Sequence, residues 1–107
     1  MLKFKYSYQR VLDLKTREKE AAQAQVAQAM RKLEKAEQTA RELSAQLERE
    51  ENKLWAVGQS ISISEIRNRV TYIEHLRRQM MQQQLAVRMA SRQVQQKQNI
   101  LDEKVKE

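Results

Sequence analysis

Trp55-Ala56-Val57-Gly58-Gln59-Ser60-Ile61-Ser62-Ile63-Ser64-Glu65 holds the only glycine of a 107-residue chain that contains no proline. Average usage would put about 5 prolines and 7 glycines in this length, so a fold with many tight turns is excluded. Charged residues make up 33% and aromatics 5%, with abundant Ala, Gln, Glu, Lys and Arg. That bias belongs to long helices and coiled coils, which bury a thin seam and not a rounded core. The reading of Gly58 therefore decides the fold: a kink in one long helix, or a turn that folds two helices together.

Upstream of the break the apolar positions fall at alternating steps of three and four. They are Ala22, Val26, Ala29, Leu33, Ala36, Ala40, Leu43, Leu47, Glu50 and Leu54, interrupted only by Glu50. Sustained over several heptads, this spacing predicts a coiled-coil seam. Its alanines let two backbones approach closely. Downstream, Ile66, Arg69, Ile73, Leu76, Met80, Gln83, Val87, Ala90, Val94, Lys97 and Leu101 make a second seam, flanked by Val70 and Val105. Three polar members weaken it, and Met80, Met81 and Met89 supply adaptable packing.

Gly58 fits a helix stop. Ser62 followed by Glu65 fits a capping box for the next helix, with Ser64 as the alternative N-cap. A stop, a short polar link and a start argue against the kinked single helix. The chain is therefore read as all-α, an antiparallel two-helix coiled-coil hairpin in one domain. Helix one covers about 4–55, the turn about 56–63 and helix two about 64–107. If Trp55 faces Ile63, paired positions sum to about 118 at equal helical rise. Asp13 then lies opposite Val105, and Phe4, Lys5 and Tyr8 project beyond helix two. Relative to that overhang the C-terminus reads as cut short.

Little in the chain suits catalysis. There is no cysteine and one histidine, His75, which lies off the seam and reads as a solvated surface residue. Acidic groups pair along helix faces, as Glu37 with Arg41, and do not form buried dyads. One glycine cannot build a phosphate loop. The chain is read as non-enzymatic, with no cofactor and no metal. No apolar run approaches the roughly 18 residues of a membrane span, and the N-terminus lacks the apolar core of a secretory signal, so the expected setting is cytoplasmic.

The formal charge is +7 and unevenly spread. Residues 31–53 balance six basic against six acidic side chains, whereas residues 75–101 carry Arg77, Arg78, Arg88, Arg92 and Lys97 with no acid. Such a tract suits an acidic protein, an anionic membrane or nucleic acid. It has no aromatic beyond Gln79, so base stacking is excluded there. Tyr72 lies one position off the seam; Ile73 and Leu76 can pack inward while Tyr72 faces out as an apolar docking patch.

The run Phe4-Lys5-Tyr6-Ser7-Tyr8-Gln9-Arg10-Val11-Leu12-Asp13-Leu14-Lys15 resembles the start of flagellar export proteins of the FliJ family. A second match runs from Gly58 through Ser64-Glu65-Ile66-Arg67-Asn68 to Tyr72-Ile73-Glu74-His75-Leu76, with Arg69 and Val70 where the family often has another aromatic. The resemblance implies a stalk-like hairpin that is a cytoplasmic part of the flagellar type III export apparatus. It implies that the end bearing both termini meets the hexameric export ATPase, with Phe4, Tyr8, Arg10 and Lys15 as contacts. It also implies contact between Tyr72, Ile73, Leu76 and Met80 and the cytoplasmic domain of the export gate protein, with export chaperones as further partners. The protein would then sit at the basal body on the inner membrane, held there through its partners, and would not engage nucleic acid. Two readings compete with it. One is a basic coiled-coil adaptor for nucleic acid or an anionic membrane surface; the other is a self-associating rod.

Overall fold

A computed structural model describes residues 2–56 and 61–106; Met1, 57–60 and Glu107 lie outside it. Two helices account for nearly all described residues: α1, Leu2–Ala56, and α2, Ile63–Lys106. Both sequences are dense in strong helix formers and neither contains glycine or proline, so nothing interrupts the hydrogen-bond ladder. The expected stop at Gly58 falls outside the described residues.

The start of α2 is fixed locally. Ser62 Oγ accepts a hydrogen bond from the Glu65 N–H at 3.1 Å, and Ser62 O accepts from the Ile66 N–H at 3.1 Å. Ser62 is thus the N-cap, satisfying a donor that the first turn leaves free. Among the described residues no bond returns from the Glu65 carboxylate to the Ser62 N–H, so only the serine half of the capping box forms. Glu65 still lies in the first turn, and Lys104 and Lys106 in the last, where each complements the helix dipole. Replacing Ser62 by alanine should cost about 1 kcal/mol, read as a lower midpoint in a urea titration followed by circular dichroism.

Contacts group the chain into two units, each holding part of both helices. In the first, Met1–Leu33 with Ala90–Glu107, the core is Ala22, Val26 and Ala29, and Leu33, Ala90, Val94, Lys97 and Leu101 are half-buried. Lys104 Nζ bridges to Glu18 at 3.5 Å across the two helices. In the second, Glu34–Met89, Ile73 and Leu76 are buried at 4% and 3% exposure. Around them Ala36, Ala40, Leu43, Leu47, Glu50 and Leu54 of α1, and Arg69, Met80, Gln83 and Val87 of α2, are half-buried. Every α1 seam position from Ala22 to Leu54 is covered at least in part. Two helices cover each seam side chain from one direction only, so no large side chain among the described residues is fully buried.

The pairing within the second unit is antiparallel. Gln46 Nε2 donates to the Tyr72 hydroxyl at 2.6 Å, which sits on the expected register, and Gln83 Nε2 donates to Ala36 O at 2.9 Å, one residue from it. Arg77 also reaches Glu51 at 2.9 Å across the two helices. Both partners are substantially exposed, so this pair contributes little stability.

Some expectations need correcting. Ile66 is 38% exposed; the register sets it level with Asn52, which offers no apolar partner. Trp55 and Ile63 are both exposed and do not bury one another. Met81 and Met89 lie on the exposed side of α2, and only Met80 packs into the seam. Gln83, expected to weaken the seam, fastens it to the α1 backbone. The carbonyl of Ala36 has a second lone pair available beside its intrahelical bond, and the alanine side chain leaves the approach open.

Candidate functional site

With no metal-binding cluster among the described residues and no buried polar side chain, the candidate sites are surfaces. Tyr72, Ile73, Leu76 and Met80 divide between inside and outside. Ile73 and Leu76 are core, Met80 is half-buried, and Tyr72 is 41% exposed. A docking partner would therefore meet Tyr72, while Ile73 and Leu76 hold the helix that presents it. The hydroxyl bond from Gln46 orients the ring against α1. Gln46 was not singled out in the sequence, although the register pairs it with Tyr72 directly.

A separate groove in the same unit is lined by Glu51, Leu54, Trp55, Val70, Ile73, Glu74 and Arg77. Trp55 is 85% exposed, the most exposed of the large apolar side chains among the described residues. A bare indole over an apolar floor is the side-chain type most often found as an interface anchor. His75 is exposed on the surface.

In the first unit, described side chains from Lys3 to Ala21 are all exposed. Phe4, Tyr6, Tyr8, Val11, Leu12 and Leu14 are exposed together, far more apolar surface than an isolated helix turn needs. Phe4, Tyr8 and Lys15 share one face through steps of four and seven, and Val11 joins them. Arg10 does not, because two residues from Tyr8 turns it away. Its guanidinium lies 6.0 Å from the centre of the Tyr6 ring, a weak cation–π contact. Arg10 instead lines a shallow surface groove with Val11, Asp13, Leu14 and Arg17. Tyr6 and Leu14 thus extend the exposed set, and the run Phe4-Lys5-Tyr6-Ser7-Tyr8 already showed the alternation that spreads aromatics around the helix.

The α1 face is held by local polar bonds, though not by the expected ones. Gln38 Nε2 donates to Glu42 at 3.2 Å, and Arg41 donates to Gln38 Oε1 at 2.8 Å. Among the described residues Glu37 and Arg41 form no ion pair; both line an open groove with Ala40, Gln84, Val87 and Arg88.

No helix among the described residues is long and apolar enough to cross a membrane. The family model described as Flagellar FliJ protein matches residues 4–107 of the chain. No curated protein and no solved structure matches it.

Proposed function

The chain belongs to the flagellar FliJ family, and from that membership we propose that it is a non-enzymatic stalk and chaperone of the export apparatus that couples the hexameric export ATPase to the export gate. The family implies a role in flagellar export. The finer assignment rests on one observation above all: an aromatic and basic helical face, Phe4, Tyr8 and Lys15 with Val11, that is exposed along its length. Such a face is costly to leave in water and suits a concave protein partner with acidic groups at its rim.

In this reading the ATPase takes the Phe4–Lys15 surface, with Arg10 contributing from the Tyr6 side. The cytoplasmic domain of the gate protein takes Tyr72, presented by Ile73, Leu76 and Met80, and export chaperones are further partners. The protein works in the cytoplasm at the basal body and meets the inner membrane only through these partners.

Mixing the chain with the export ATPase tests the reading, with hexamer formation and hydrolysis measured together. The native chain should promote both. The double variant Phe4→Ala, Tyr8→Ala should bind at least about tenfold more weakly, the loss typical of aromatic anchors, with unchanged helix content. Equal stimulation by native and variant chains would remove the N-terminal surface from the assignment, and no stimulation by the native chain would remove the stalk role. For the gate, Tyr72→Ala should weaken binding while Tyr72→Phe retains most of it, because the ring carries the contact.

A further inference from the structure

The groove lined by Ala40 and Val87 belongs to neither surface. It is open, about 540 Å³, and lies wholly within the second unit. Its floor is Ala40 of α1 and Val87 of α2, both half-buried seam residues, with Gln84 beside them. Its rims carry Arg41 and Arg88, both exposed, against one carboxylate, Glu37. The cause is in the sequence. Alanine at a seam position lets the helices come close, as the Gln83–Ala36 bond shows, but it does not fill the space beside a larger neighbour. Val87 is left with one flank uncovered.

The geometry points to a docking site for an acidic amphipathic helix of another protein, laid along the hairpin as a third strand. An apolar ridge at steps of three and four would fill the space over Ala40 and Val87. Glutamate or aspartate beside that ridge would meet Arg41 and Arg88, whose planar guanidinium groups suit carboxylates.

Charge selects this occupant over others. α2 carries no acid from residue 75 to residue 101, so an acidic helix meets no repulsion along it. A second copy of the chain would bring +7 against +7. Nucleic acid would use the arginines but leave the apolar floor empty, and the α2 tract beside the groove offers no aromatic for a base to stack on. The site uses neither Tyr72 nor the Phe4–Lys15 face, so it stands apart from the stalk reading.

The chain has no cysteine, so Gln84→Cys gives one labelling position in the groove for an environment-sensitive dye. The probe is a synthetic helix of leucine heptads flanked by glutamate, titrated at about 0.15 M salt where exposed charge contacts are screened. It should bind and shift the dye to the blue. The double variant Arg41→Glu, Arg88→Glu should bind at least about tenfold more weakly, while Arg49→Glu, Arg67→Glu, the same charge change at exposed residues outside the groove, should stay within about threefold. Circular dichroism should be unchanged in both. Any of four results would overturn the site: an equal shift from polyglutamate or from a control helix of the same leucine heptads flanked by lysine, tighter binding of duplex DNA, equal loss in the Arg49/Arg67 variant, or self-association of the chain that buries the dye.

Discussion

Replacing Leu76 by alanine is expected to cost the hairpin about 3 kcal/mol, the largest effect of any conservative truncation in the chain. Leu76 is the most deeply buried side chain described, at 3% exposure, and its neighbour along the seam, Ile73, is the next. Most other seam residues are only half-covered, so these two carry a large share of the burial in their unit. A chain of this length has a total stability of order 10 kcal/mol, so the loss would take away a good fraction of it. Thermal melting followed by circular dichroism reads it directly. A fall of less than about 1 kcal/mol would mean that the position is not buried as described. The same experiment separates fold from contact. Leu76→Ala should weaken partner binding only as far as it depletes the folded state, whereas Tyr72→Ala should weaken binding and leave the melt nearly unchanged.

Enlarging a small residue should also destabilise. Ala29 is buried at the seam of the first unit with Ala22 and Val26. Leucine there would gain apolar surface, but the space it needs is occupied by the facing helix. The helices must part or the side chain must leave its preferred rotamer, at about 1–3 kcal/mol. The control is Ala24→Leu on the exposed face of the same helix, where the two residues have similar helix propensity and the change should stay within about 0.5 kcal/mol. Urea titration of both variants distinguishes the cases. If Ala29→Leu stabilised the chain, the seam would have room that the burial of these alanines denies.

The parts of this structure that periodicity controls could be read from the chain in advance. Steps of three and four from Ala22 to Leu54 named residues that are all at least half-covered, because a helix must turn one stripe toward its partner whatever the partner is. The register came from setting Trp55 level with Ile63, and the Gln46–Tyr72 and Gln83–Ala36 bonds fall on it or within one residue of it. The exposure of Tyr72 followed from its place one step off the stripe.

What escaped depends on distances between helices. Gln83 looked like a flaw because its partner is a backbone carbonyl, which no side-chain pattern reveals. The Ala40–Val87 groove depends on how closely side chains of the two helices approach across the seam, which the spacing along one helix does not give. Glu37 and Arg41 had the right separation for a pair, but Gln38 took the guanidinium first. Arg10 was grouped with Phe4 and Tyr8 by proximity in the chain, and the helix sets it beside Tyr6.

The bond from Gln83 to Ala36 O also bears on how such a chain can vary over generations. Its acceptor is an atom that every residue possesses, so the bond does not read the identity of position 36. Drift there is limited only by bulk: glycine or serine would keep the bond, and a branched side chain would block it. Position 83 has no such freedom, since shortening glutamine to asparagine would leave the amide short of its target. The two positions should therefore show unequal tolerance and little correlated change, unlike a pair joined through both side chains. A saturation library scored for folding at positions 36 and 83 would show that asymmetry as a broad set of small residues at one and a nearly fixed glutamine at the other.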